Sequence, residues 1–141
     1  MRNSILVILS IMLVLVSEIA YPETKFTMRQ WMQLDPTTKL AVIDVAIKNF
    51  ANKKVLIRLP ASHYVEELDG LAANTIANGN GDSLDGQSVA VSFKTIAVMD
   101  CDWDNGQNPL EFAKQLMGPK IFARFQVDFP EKYLLLTKGC R

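Results

Sequence analysis

The chain has 141 residues, in which 15 Lys and Arg are balanced by 15 Asp and Glu, and 49% of its residues are hydrophobic. Neutrality argues against nucleic-acid binding, which needs a basic surface to displace counterions, and leaves no polybasic segment for anionic lipids. The length is enough for one domain with a modest core.

The first twenty residues have the pattern of a secretory signal peptide. Arg2 supplies a basic start, and residues 5–16 are apolar apart from Ser10. A run of this length is typical of a signal sequence and is short for a permanent membrane helix. We therefore predict a signal peptide at 1–20 and a periplasmic or secreted domain at 21–141 that has no membrane contact after signal removal. Because cleavage after Ala20 would place Glu18 at position minus three, the cleavage point and an uncleaved anchor stay open.

Two helices are predicted in the first half of the mature chain. Asp35 followed by Pro36 is typical of an N-cap with proline at the first helical position. Apolar residues then recur at the spacing of one helical face, namely at Leu40, Ile43, Ile47 and Phe50. Pro60 predicts a second helix, after a short extended connection at 55–59 whose length alone does not exclude a strand. Residues 78–86, rich in Gly, Asn and Asp, predict a solvated loop.

Residues 88–99 fit two patterns. Val89, Val91 and Phe93 alternate as in a strand, but Val89, Phe93 and Ile96 also lie on one face of a helix. The alternation fails after Lys94, since Ile96 and Val98 would fall on the opposite face of a strand. We therefore predict a helix here.

The last third of the chain predicts further helices. Asn108 is a suitable N-cap, Pro109 a suitable first residue, and Glu111 can complete a capping box. Gly118-Pro119 predicts the end of this helix, and Pro130 resets the chain after another amphipathic piece. Together the patterns predict an all-α fold: a compact bundle of four or five short helices in a single domain.

Cys101 and Cys140 are the two cysteines of the chain. In an exported protein an even pair is typically bridged, so we predict a disulfide between them. In the chain-entropy model the bridge stabilises the protein by about 4 kcal/mol. It would also hold the C-terminal tail beside an acidic segment. Two unrelated thiols remain the alternative if the protein never meets an oxidising compartment.

That acidic segment, DCDWDNGQNPLE at 100–111, is spaced like an EF-hand loop. Counted from its first residue, oxygen-bearing side chains fall at positions one, three, five, nine and twelve, a spacing that suits calcium. The candidate metal ligands are Asp100, Asp102, Asp104, Asn108 and Glu111. Position six holds Asn105 where the loop needs glycine, and Glu111 already has a role as a capping residue. A capped acidic turn is therefore the competing interpretation.

The sequence contains little catalytic equipment. His63 is its one histidine, with Glu66 and Glu67 three and four residues further on, a spacing that brings side chains together on a helix. No nucleophile elbow, phosphate loop, dinucleotide fingerprint or zinc-protease motif is present. Trp103, between two aspartates, is either a recognition residue or part of the core. We predict a protein that is not an enzyme and needs no cofactor.

The chain resembles the small helical immunity proteins that neutralise type VI secretion amidases in the periplasm. The resemblance lies in the order of its elements: a helix containing Asp44, an extended connection, the proline-started helix with YVEELDGL at 64–71, and a third helix with SVAVSFKTIAVM at 88–99. It covers about half of the chain and carries over no functional residue, and residues 100–141 have no counterpart in it. The WDNG turn at 103–106, followed by a helix, also resembles uncharacterised exported bacterial proteins.

These patterns predict a small exported binding protein whose partner is another envelope or secreted protein or a small ligand, with immunity-like protein binding as the specific form that the resemblance implies. The alternative is a calcium-binding or calcium-stabilised module that uses the acidic segment. The sequence leaves the oligomeric state open.

Overall fold

The structure is a computed structural model that describes residues 26–141. The predicted signal peptide at 1–20 lies outside this range. Within it, six α-helices form: α1 (Met28–Met32), α2 (Pro36–Asn52), α3 (Ala61–Ala77), α4 (Val89–Met99), α5 (Pro109–Asp128) and α6 (Pro130–Thr137). A 3-10 helix (Gly81–Asp85) connects α3 to α4. No strand forms in the described range, where extended backbone pairs only as two isolated antiparallel bridges, Thr27 with Ser88 and Leu56 with Asp104. The predicted all-α fold is confirmed.

The predicted helix starts are confirmed by their caps. Asp35 Oδ1 accepts a hydrogen bond of 2.7 Å from the Thr38 amide at the start of α2. Asn108 Oδ1 does the same for the Glu111 amide, at 3.1 Å, at the start of α5. Each interaction satisfies one of the backbone donors that the first turn of a helix leaves unpaired.

The ambiguous segment at 88–99 is a helix, as predicted. Ser88 caps α4 by accepting a hydrogen bond from the Val91 amide at 3.3 Å. Val89 and Phe93 are buried on the face that the helical spacing predicted, whereas Val91 is exposed.

The structure has more helical segments than the predicted bundle of four or five. One extra short helix, α1, lies before the first predicted helix, and a capping box between Thr27 and Gln30 starts it. The segment at 78–86, predicted as a solvated loop, contains the 3-10 helix, because Leu84 is fully buried there against the core. Arg29, which belongs to α1, anchors the 3-10 helix through an ion pair with Asp85 at 2.6 Å.

The predicted break at Gly118-Pro119 is present as a sharp change of direction within α5. Gly118 has φ 74° and ψ 168°, a backbone conformation that is essentially restricted to glycine. The chain then resumes as a helix with Pro119 at its start, where the missing amide hydrogen costs nothing.

Two adjoining hydrophobic cores hold the helices together. The first lies among α1 to α4 and buries Trp31 and Tyr64 completely. The second lies among the end of α4, α5 and α6, with Phe122 and Leu136 among its buried residues. Trp103 packs against both cores and joins them. No helix within residues 26–141 has the length and apolar character needed to cross a membrane.

Candidate functional site

The acidic segment begins where α4 ends in a Schellman motif. The Cys101 amide donates to the Val98 carbonyl at 3.1 Å and the Asp102 amide to the Ala97 carbonyl at 2.8 Å, which is the hydrogen-bond pair of that motif. Cys101 takes the left-handed position, with φ 55°. The predicted disulfide is present and joins Cys101 to Cys140, whose amide completes a second Schellman turn at the end of α6. The disulfide therefore fastens the end of α6 to the end of α4.

Asp102 is buried, and its side chain binds backbone amides. Its side chain accepts hydrogen bonds from the amides of Arg58, at 2.8 Å, and Leu59, at 3.0 Å. It also accepts a short hydrogen bond from the hydroxyl of Tyr64, and only 4% of the residue is exposed. These bonds fix the turn that leads into α3, whose own N-cap, Pro60, offers no side-chain acceptor. The carboxylate of Asp102 therefore has a structural role as the anchor of this connection.

Tyr64 is held as a neutral phenol by the same environment. Burial raises the pKa of Tyr64, and the hydrogen bond to Asp102 together with the negative charges of Asp102 and Asp100 raises it further. The phenol donates its proton to Asp102 and stays protonated, since ionisation would add a third negative charge to this buried region.

Asp104 binds the side chain of Arg58, whose amide binds Asp102. It forms an ion pair with the guanidinium of Arg58 at 2.9 Å and exchanges backbone hydrogen bonds with Leu56 at 2.8 and 3.1 Å. The hydrogen bond from Arg58 lowers the pKa of Asp104, and a hydrogen bond from the Gly106 amide adds to the effect. Asp104 therefore joins the acidic segment to the extended connection before α3.

Asp100 has a third set of partners. Its carboxylate lies 2.8 Å from His63 Nε2 on α3 and 2.5 Å from Lys132 Nζ on α6. Its side chain is only 9% exposed. Asp100 thus connects α3, α4 and α6 at one point on the surface.

The remaining two candidate calcium ligands belong to the first turn of α5. Asn108 caps that helix, and the Glu111 carboxylate lies 3.2 Å from Lys114 Nζ, exposed to solvent. In the described residues the segment does not gather three of its predicted carboxylate ligands into one group. Asp100 pairs with His63 and Lys132, Asp102 accepts from the backbone before α3 and from Tyr64, and Asp104 pairs with Arg58. This arrangement favours the capped acidic turn, and calcium binding stays a prediction.

The position of Trp103 is explained by packing against other aromatic rings. Its ring makes an edge contact with Phe50, at 4.9 Å between centroids, and stacks parallel to Phe112 at 6.1 Å. Lys94 Nζ lies 5.2 Å from the centroids of both Trp103 and Phe112, close enough for cation–π attraction. Burial lowers the pKa of Lys94. The candidate recognition residue therefore joins the two cores.

One group of potential ligands was not predicted as a set. His63, Glu67 and Asp100 each place one ligand atom so that the three atoms lie within 4.8 Å of one another. The spacing of four between His63 and Glu67 was visible in the sequence, but Asp100 comes from 37 residues away. Only the packing of α4 on α3 brings it to them.

An open apolar groove lies on another part of the surface, between α1 and α3. Its volume is about 440 Å³. Side chains from three helices line it: Met32, Lys39, Asp69, Ala72, Ala73, Ile76 and Ala77. Met32 and Ile76 are 40% and 47% exposed. This groove was not predicted from the sequence, since Met32 comes from the unpredicted helix α1.

A polar network borders the groove. Asp69 Oδ1 accepts hydrogen bonds of 2.9 Å from the Trp31 indole nitrogen and from Lys39 Nζ. Lys39 is largely buried and also lies over the Trp31 ring, at 5.6 Å. An apolar surface with a few oriented polar groups is the usual composition of a binding site.

Comparison of this chain with protein-family models, with curated proteins and with solved structures finds no match.

Proposed function

We propose that this chain is an exported protein that works by binding another envelope or secreted protein, and that the groove between α1 and α3 is its contact surface. The observation that carries the proposal is the exposure of Met32 and Ile76, which both line one open apolar groove. Grouped apolar side chains at the surface of a soluble domain are typical of interaction sites.

The groove suits a particular kind of partner. Methionine is flexible and polarisable, so Met32 can adapt to an apolar side chain that enters beside Ile76. Asp69, whose side chain is 44% exposed, stands at the rim and can accept a hydrogen bond from the partner. We therefore expect an apolar helix or loop that carries a basic or amide group next to its apolar anchor.

Two observations support export and a protein partner. The disulfide between Cys101 and Cys140 is of a kind that forms and persists in oxidising compartments, in agreement with the signal-peptide pattern at 1–20. The resemblance to immunity proteins of type VI secretion amidases makes a cell-wall amidase the first partner to test.

The proposal is tested with a matched pair of substitutions. Ile76→Lys places a charge in the groove. Val127→Lys places the same charge on α5, at an equally apolar residue that is more exposed, at 76%. Both residues lie in the last turn of their helices, so the effect of the helix dipole on the new lysine is similar.

The full chain is expressed in a bacterial host, recovered from the envelope fraction and tested for co-purification with a panel of type VI secretion amidases and other envelope proteins. We expect a partner that is captured by the wild-type protein and by Val127→Lys and whose capture falls at least tenfold with Ile76→Lys. Equal capture by both variants would refute the groove as the contact surface, and the absence of any specific partner would refute the binding function. Protection of the host from lysis by a co-expressed amidase would identify the immunity-like form.

A further inference from the structure

The group formed by His63, Glu67 and Asp100 lies at the surface where α3 meets the end of α4. His63 and Glu67 are four residues apart on α3, so their side chains project from the same face. Asp100 is the C-cap residue of α4, and its Oδ2 atom points at His63 Nε2 at 2.8 Å. We propose that these three side chains form a binding site for a divalent transition-metal ion, with zinc as the best-fitting ion.

The donor atoms are spaced for such an ion. Zinc binds histidine nitrogen and carboxylate oxygen at about 2.0 to 2.2 Å in a tetrahedral arrangement, which separates neighbouring donor atoms by roughly 3.3 Å. The three donor atoms here lie within 4.8 Å of one another, and His63 Nε2 lies 2.8 Å from Asp100 Oδ2. Small rotations of His63 and Glu67 therefore suffice to admit the ion. Three protein ligands would leave a fourth position for water.

The chemistry of the donors selects the class of metal. An imidazole nitrogen binds zinc and its first-row neighbours well, whereas calcium takes oxygen ligands almost exclusively. The site thus differs from the calcium hypothesis for the acidic segment, although Asp100 belongs to both. It also differs from a surface cluster of acids, because the nitrogen of His63 takes part.

The charges around the site favour a divalent cation. Asp100, Asp102 and Glu67 contribute three negative charges and Lys132 one positive charge, which leaves two negative charges when His63 is neutral. Asp100 also lies at the C-terminal end of α4, where the helix dipole is negative and a carboxylate needs a cation nearby. A divalent ion would balance these charges.

The other oxygen of Asp100 already has a partner that can remain during metal binding. Lys132 Nζ contacts Oδ1, whereas the oxygen that faces His63 is Oδ2. The disulfide holds α6, and Lys132 with it, against the end of α4. Partners of this kind orient a ligating carboxylate. Access from solvent is open, because 31% of the His63 side chain and more of Glu67 are exposed.

Because His63 is the one histidine of the chain, its metal binding can be observed without ambiguity. In the test, protein from the envelope fraction is titrated with zinc sulfate. Binding is measured by calorimetry and by the NMR signals of the single imidazole. His63→Gln and Glu67→Gln each remove one ligand. Glu66→Gln removes the same charge from the neighbouring exposed residue outside the group and is the matched control.

We expect one zinc ion per chain, a shift of the imidazole signals on binding, and an affinity that falls at least tenfold in His63→Gln and in Glu67→Gln but not in Glu66→Gln. Far-UV circular dichroism of each variant shows whether it remains folded. If the wild-type protein binds no zinc above the level of His63→Gln, or if zinc leaves the imidazole signals unchanged, the group is an ion-pair cluster only and the proposal is overturned. Equal loss of affinity in Glu66→Gln and Glu67→Gln would also overturn it.

Discussion

Among isosteric substitutions in this protein, we expect Asp102→Asn to be one of the most destabilising. Asp102 Oδ1 accepts from the Arg58 amide, and Oδ2 accepts from the Leu59 amide and from the Tyr64 hydroxyl. An asparagine has one oxygen and one NH₂ group. In either orientation its NH₂ group faces a backbone N–H, so at least one buried donor loses its acceptor.

The cost follows from the number of bonds affected. A hydrogen bond to a charged group contributes about 1.5 to 3 kcal/mol, and a buried donor left unpaired costs about 1 to 3 kcal/mol. Since the remaining bonds become neutral and weaker, we expect a loss of about 2 to 4 kcal/mol in the free energy of unfolding. That is a large part of the roughly 5 to 15 kcal/mol that stabilises a typical domain.

Urea denaturation of the oxidised protein, followed by circular dichroism, measures this loss. Asp104→Asn is the matched control, because Asp104 is half exposed and its partner Arg58 is exposed as well, so its loss should be much smaller. Tyr64→Phe removes only one of the three donors and should cost about 1 to 2 kcal/mol. A loss below about 1 kcal/mol for Asp102→Asn, or one equal to that of Asp104→Asn, would contradict an anchoring role for Asp102.

Four further outcomes follow from the structure. Gly118→Ala should destabilise the protein by about 1 to 3 kcal/mol in the same denaturation assay. Gly70→Ala should instead stabilise it by about 0.5 to 1 kcal/mol, because Gly70 lies in the open middle of α3. Equal effects of the two substitutions would refute the assigned backbone conformations. Replacing both cysteines with serine should cost about 4 kcal/mol for a loop of 39 residues, and an unchanged denaturation midpoint would contradict this. The pKa of Tyr64 is higher in the folded protein than in the unfolded chain, so its contribution to stability is complete below the unfolded pKa of about 10 and falls as the pH rises above that value. Between pH 9 and pH 11 the free energy of unfolding should therefore fall less in Tyr64→Phe than in the wild-type protein. An identical fall in the two proteins would refute the assignment. Millimolar calcium should leave the melting temperature unchanged, because the acids of the 100–111 segment face separate partners; a rise of several degrees that Asp104→Ala abolishes would restore the calcium hypothesis.

The sequence determined most of the helical elements of this protein, because their signals are local. Asp35, Ser88 and Asn108 cap the helices that follow them, since an N-cap depends only on a side chain and the amide three residues later. The break at Gly118 was predictable for the same reason, as the conformation found there is open to glycine alone. The pairing of Cys101 with Cys140 followed from the presence of only two cysteines.

Tertiary structure alone decided what the acidic segment does. Spacing in the sequence suggested that Asp100, Asp102 and Asp104 share one ion, but each carboxylate is already paired with other groups of the protein. Asp102 meets the start of α3, and Asp100 meets His63. No local rule gives these contacts, because each partner lies about forty residues away. The groove at Ile76 and the group around His63 likewise exist only because α1 and α4 pack against α3, and helix packing depends on the whole core at once.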